Sequence, residues 1–144
     1  MGSRRSNMAE AGTKLSLDQK IQTIRDGFEA FKRGDLKAVA ELFTDDAVWH
    51  GRGSTKFGGD FKGKDAVMGN MAQFAQTFQD IRLDIHDILA NDKHVVALVN
   101  SSVKRDGKTY PDQQTFVFHL NDRGKTTETW VASDTEQLRK SLES

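Results

Sequence analysis

The chain contains no cysteine, which removes disulfide frameworks, thiolate nucleophiles and cysteine-ligated zinc. It also lacks net charge. Its 21 basic residues balance 21 acidic ones, and no basic stripe interrupts the pattern, so neither nucleic acid nor an anionic membrane surface is expected as a partner. No segment approaches the roughly 20 apolar residues that cross a bilayer. Internal repeats and low-complexity tracts are absent as well. Residues Met1 to Asn7 carry Arg4 and Arg5 but no apolar run before Met8, so they read as a cloning scar or frayed tail, not a signal peptide. Residues 1–14 are therefore set apart from a single domain over 15–144, and a reducing cytoplasm is the expected location. At 144 residues such a chain buries roughly 70% of its unfolded surface in one core.

Helical spacing dominates the first half. Leu17, Ile21, Ile24, Phe28 and Phe31 alternate spacings of four and three, Ser16 and Gln19 have capping-box spacing, and Gly34 supplies a stop. Asp35 can cap a second short helix carrying Leu36, Val39, Leu42 and Phe43. A short strand over Val48 to His50 comes next, then a glycine-rich loop. Val67, Met71, Phe74 and Phe78 place a third helix from about Lys64 to Thr77. In the second half the period falls to two. Ile81, Leu83 and Ile85 alternate with Arg82, Asp84 and His86, while Val95 to Val99 is apolar on both faces. Turns at Asn91-Asp92, Asp106-Gly107 and Asn121 to Gly124 separate these from strands over Thr115 to Leu120 and Thr126 to Val131. Ser133 and Glu136 then have capping-box spacing for a last helix with Leu138 and Leu142 inward. Helices segregated to one side of a curved antiparallel sheet make an α+β domain, whose natural cavity lies between the two layers.

Val48-Trp49-His50-Gly51 and the following run Phe57-Gly58-Gly59-Asp60-Phe61-Lys62-Gly63-Lys64 place an aromatic ring and an imidazole beside a helix start, which marks a pocket. The patterns Asp46-Ala47-Val48-Trp49-His50-Gly51 and Gly59-Asp60-Phe61-Lys62-Gly63-Lys64-Asp65-Ala66-Val67 resemble the SnoaL-like branch of the nuclear transport factor 2-like (NTF2-like) superfamily. His86 to Val99 and Phe116 to Trp130 look like that family's closing strands. The resemblance covers about residues 17–142. It implies a cone-shaped α+β barrel with a curved sheet packed on three N-terminal helices plus a C-terminal helix, dimeric through the outer sheet face. The activities it brings are polyketide cyclisation and, more distantly, steroid isomerisation, dehydration, epoxide hydrolysis and binding without chemistry. Steroid isomerases resembling this chain place an aspartate where His50-Gly51-Arg52 stand here, so their activity does not carry over.

A proton-moving site on carbon beside a carbonyl needs a base of suitable pKa in a dry pocket with aromatic walls. His50 is the first candidate, because imidazole accepts and donates near neutral pH, with a backbone-bonded histidine as the plain alternative. Glu128 and Trp130 share a strand face. If it points inward, Trp130 is a wall and Glu128 a second acid/base or a group that orients His50; if outward, Trp130 serves a dimer interface and Glu128 is a solvated strand residue. Asp134 is either an acidic pocket residue or a carboxylate favouring the last helix's positive end. Asn100 and Gln114 are polar positions in apolar strands, where a ligand or the backbone satisfies the amide. Trp49, Phe61, Phe74, Phe78 and Phe116 supply candidate ligand-binding rings. His86, His94 and His119 fall on surface or interface positions.

Gly58, Gly63 and Lys64 match the spacing of a phosphate loop, but Asp65 replaces the magnesium-holding hydroxyl and Asp60 adds negative charge to the cradle. The four histidines are scattered without helical ligand spacing, so no metal and no cofactor are expected. Two functions remain. One is a cofactor-independent lyase or isomerase acting on a small hydrophobic carbonyl compound; the other is a non-catalytic ligand-binding or dimeric partner-binding domain.

Overall fold

Ser16 Oγ accepts the Gln19 N–H at 3.1 Å while Gln19 Oε1 accepts the Ser16 N–H at 2.8 Å, so the expected capping box opens the first helix. The computed structural model describes residues 15–143, and the tail assigned to residues 1–14 lies outside the described residues. Helix α1 (Leu17–Lys32) buries Ile24 and Phe28 but leaves Leu17, in its first turn, exposed, contrary to the expected stripe. Gly34, at φ 75°, ends the helical run, and Asp35 Oδ1 accepts the Ala38 N–H to cap α2 (Leu36–Ala40). Leu42 and Phe43 fall after this helix and not within it. Phe43 opens β1 (Phe43–Gly51), which is longer than the expected Val48 to His50.

The glycine-rich stretch contributes a short strand, β2 (Gly59–Lys62), before α3 (Lys64–Thr77). Strands β3 (Asp80–Ala90), β4 (His94–Arg105), β5 (Lys108–Leu120) and β6 (Thr126–Ala132) form the meander, and α4 (Thr135–Glu143) closes the described chain. Asp106 and Gly107 both have positive φ, 51° and 80°, as a two-residue hairpin between β4 and β5 demands. Asp134, and not Ser133, caps α4: its Oδ1 accepts the Gln137 N–H at 3.1 Å.

The six strands run in the order β2-β1-β6-β5-β4-β3. Pairing is antiparallel except between β1 and β6, which lie parallel with Trp49 opposite Thr129 and His50 opposite Trp130. Bulges interrupt β1 between Phe43 and Val48, β3 between Ile85 and Asp87, and the β5–β6 pairing after His119. Each bends its strand and increases the local twist, which curls the sheet around the helices. Val95, Ala97 and Val99 on β4 are buried against α1, whereas Val96 and Leu98 face the outer side half-buried. Two clusters fill the inside: one joins α1 to β3–β6 around Phe28, Phe116 and Phe118, the other joins α2 and α3 to β1 around Val39, Phe43 and Val67. This is the NTF2-like α+β fold. Among the described residues, no helix is long and apolar enough to cross a membrane.

Candidate active site

The inner face of β5 reads Tyr110, Asp112, Gln114, Phe116 and Phe118, every second residue of one uninterrupted strand. All five line a cavity of about 180 Å³ between the sheet and the helices. Trp49 from β1, Val131 from β6, Phe28 and Phe31 from α1 and Phe74 from α3 make most of its wall apolar. A cavity near 150 Å³ already holds benzene, so this one takes a small ring system.

Asp112 is the carboxyl in this wall. Partial burial pushes its pKa above the ordinary aspartate value, the backbone N–H groups of Asp134 and Gln113 pull it down, and the nearby Asp134 charge pushes it up again. The Asp134 N–H reaches Asp112 Oδ1 at 2.8 Å. Asn70 of α3 also lines the cavity, and its side-chain oxygen is buried without a hydrogen-bond partner. Thr129 Oγ1, sealed within the sheet, is likewise unpaired.

The loop between β1 and β2 shuts one side. Phe57 is buried there against Phe74, with ring centroids 5.1 Å apart, and Phe78 packs behind both. A Cβ on Gly58 would sit 2.1 Å from the Gly53 carbonyl oxygen, and one on Gly51 2.7 Å from that of Phe57. The loop is thus folded back on its own backbone, and it carries Arg52 to the cavity wall.

Of the residues expected at the site, Trp49, Phe74, Gln114 and Phe116 line this cavity. Phe61 and Phe78 do not; Phe61 packs in the second core cluster and Phe78 behind Phe57. Asn100 and Asp134 line a shallow polar depression outside it, at the start of α4. His50, Glu128 and Trp130 lie on the opposite, outer face of the sheet. The reason is the strand period: with Trp49 pointing inward its neighbour His50 must point outward, and the parallel register carries Glu128 and Trp130 out with it.

On that face His50 Nδ1 lies 2.8 Å from Asp60 Oδ1 and its Nε2 2.6 Å from Glu128 Oε2, with the Trp130 ring stacked at 5.6 Å. Both ring nitrogens meet carboxylates, which only accept. Two ionised carboxylates flanking the ring favour its cationic form, in which both nitrogens donate and no lone pair is left to take a substrate proton. The bonds to Asp60 and then Glu128 raise its pKa, against a smaller opposing effect of burial. A histidine pKa raised by folding adds stability that is complete below about 6.5 and vanishes as pH climbs through the folded value. The denaturation midpoint of His50→Gln should therefore trail wild type most at acidic pH, with the gap closing on the alkaline side. A gap independent of pH would mean that the ion triad is not what stabilises.

Asp112 and Tyr110 were not singled out in the sequence, because β5 was expected to begin at Thr115. The signal was available in the parity of Phe118, Phe116 and Gln114, continued downward past Pro111. Among the described residues no cluster of histidines and carboxylates is arranged to hold a metal.

No curated protein matches the chain in sequence. Among solved structures, Bal32a from a soil-derived mobile gene cassette superposes with a TM-score of 0.81 at 24% identity, covering 87% of this chain and 97% of its own. An NTF2-like protein of unknown function from Burkholderia pseudomallei gives 0.81 at 21% identity over 90% of this chain and 100% of its own. IdmH, a putative polyketide cyclase from Streptomyces antibioticus, gives 0.72 at 22% identity over 88% and 99%. These likenesses concern the fold. The sequence model of the SnoaL-like domain matches residues 24–129, from the middle of α1 through β5 and into β6, and the chain belongs to that family.

Proposed function

We propose that this protein is a cofactor-independent lyase or isomerase of the polyketide-cyclase kind, moving a proton beside the carbonyl of a small hydrophobic compound, with Asp112 as the acid/base. The observation that carries this reading is a carboxyl of raised pKa set in a largely apolar cavity. As carboxylate, Asp112 takes the proton from the carbon next to the carbonyl. The C–H electron pair becomes the enolate double bond, and the carbonyl π pair moves onto oxygen. Ser101, directly opposite Asp112 on β4, and Tyr110, two residues away on the same strand face, both line the cavity and supply hydroxyls to donate to that oxygen. Return of the proton from Asp112 to another carbon completes an isomerisation. The test is exchange of the α-protons of 2-tetralone with deuterium oxide, followed by NMR with and without the protein.

A non-catalytic ligand-binding member is the second reading, favoured by the fact that no histidine lines the cavity among the described residues. Absence of any protein-dependent exchange, with the ketone nonetheless bound, selects it.

We also propose that the protein is a homodimer through the outer sheet face. Val96, Leu98, Val117 and Trp130 lie half-buried on the outer sheet face, and Leu89 beside Val96 is 50% exposed. A second copy covering this face supports a dimer on the grounds that such contiguous apolar surface is seldom left to water. Sedimentation of wild type as a dimer and of Leu89→Lys with a dissociation constant raised at least about tenfold is the expected result. A wild type sedimenting as a monomer at high concentration removes the proposal. The cytoplasmic location is supported only by the cysteine-free composition.

A further inference from the structure

Arg52 is the one basic side chain on the cavity wall, and among the described residues no ion pair or hydrogen bond engages its guanidinium. Acidic groups on the adjoining β2, β5 and the start of α4 are engaged by other partners. Asp60 holds His50, Asp134 caps α4, and Asp112 accepts the Asp134 N–H. Placement of Arg52 is also fixed by local backbone packing. Its own carbonyl oxygen lies 2.9 Å from where a Gly58 Cβ would stand, with the Gly53 carbonyl closer still, so only glycine lets the loop close beneath it. Phe57 anchors the far end of the same loop in the Phe74–Phe78 stack. On the other side, Gly53 abuts Thr135 at the start of α4, which contributes Gln137 and Leu138 to the wall. The guanidinium is therefore carried on a short, backbone-packed segment at the exposed edge of a largely apolar chamber.

We propose that Arg52 selects ligands carrying an acidic group: a carboxylate, or the enolate of a β-dicarbonyl, rests against the guanidinium while the apolar rings enter the cavity. This inference rests on the reading of the cavity as the ligand site and adds the substrate class, an aromatic or alicyclic carbonyl compound with an anionic substituent. An unpaired guanidinium beside a low-dielectric chamber presents a planar fork of donors matched to two oxygens. The same charge serves the chemistry. A cation at the edge of the chamber favours developing enolate charge on the substrate and lowers the cost of bringing an anion near the Asp112 carboxyl.

The probe is 2-naphthoate against 2-naphthamide, two molecules of the same ring system and nearly the same shape, titrated into the full chain by calorimetry. Wild type should prefer naphthoate by about tenfold, with the preference shrinking as ionic strength rises. Arg52→Gln should bring the two affinities to within about twofold of each other and leave that for naphthamide unchanged. Arg52→Lys should retain part of the preference, because charge remains while the fork is lost. Arg52 is exposed, so the variants are expected to fold, which melting curves check before titration. If wild type binds the two compounds equally, the acidic-group assignment is overturned while the ligand site stands. If neither compound enters the cavity, the ligand-site reading falls and takes this inference with it.

Discussion

Asp112→Asn slows exchange of the 2-tetralone α-protons by about 10²- to 10⁴-fold, the range usual for loss of a positioned general base. Asparagine has nearly the shape of aspartate, and its side-chain oxygen still accepts the Asp134 N–H that reaches this position at 2.8 Å. The fold should survive. Stability even moves the other way: a carboxyl whose folded pKa is raised favours the folded state when protonated, and that advantage disappears as pH rises through the folded value. At neutral pH the ionised Asp112 therefore costs the fold something that asparagine does not, and the variant should melt no lower than wild type. In the wild type the exchange rate should rise with pH through a midpoint above the ordinary aspartate value, since the carboxylate is the active form. Asp134→Asn keeps a good helix cap but removes one of the influences raising Asp112, so its midpoint should shift downward. Equal exchange by wild type and Asp112→Asn would sink the assignment of Asp112 as base.

Local signals in this chain were legible because each depends on neighbours in sequence. The Ser16–Gln19 box, the Asp106-Gly107 hairpin and the α3 limits follow from caps, turn chemistry and periodicity alone. Strand faces were harder. In sequence Trp49 and His50 are neighbours that suggest one pocket mouth, yet adjacent residues of a strand diverge, and only the sheet as a whole says which of the two is inside. The parallel pairing of β1 with β6 is set by contacts nearly 80 residues apart; Glu128 does meet His50, as one sequence alternative has it, but Asp60 as the second partner and the outer face of the pair have no local signal. Pro111 caused the remaining error. Proline ordinarily limits a strand, but β6 stops opposite Thr115, and beyond that point β5 has a ladder partner only in β4. One side of Pro111 needs no donor, the strand continues to Lys108, and Asp112 and Tyr110 join the inward stripe.

Trp49→Ala should destabilise the protein by about 2–3 kcal/mol, below the ~3–5 kcal/mol usual for a ring fully enclosed in a core, because Trp49 is half-buried. Trp49 is the side chain that packs against both core clusters, with ring centroids 6.4 Å from Phe43 in one and 6.3 Å from Phe116 in the other. Its strand, β1, is also the link through which β2 and α3 are tied to the rest of the sheet. Removing the ring therefore opens a cavity and loosens the two halves of the fold together. Against a typical total of about 5–15 kcal/mol, this leaves little margin. Trp49→Phe, which keeps an aromatic contact with both clusters, should lose less, and Trp130→Ala on the outer face provides the comparison for a ring outside the core. Urea midpoints with unchanged slopes measure all three. A loss below about 1 kcal/mol for Trp49→Ala would mean that the clusters hold independently. The same substitution has a functional consequence, because Trp49 is also cavity wall: space vacated by the indole joins the chamber. Where the variant still folds, ligands with an additional ring should bind it better than wild type, with smaller ligands losing affinity. The residue that joins the two cores thus also limits the size of what the cavity admits.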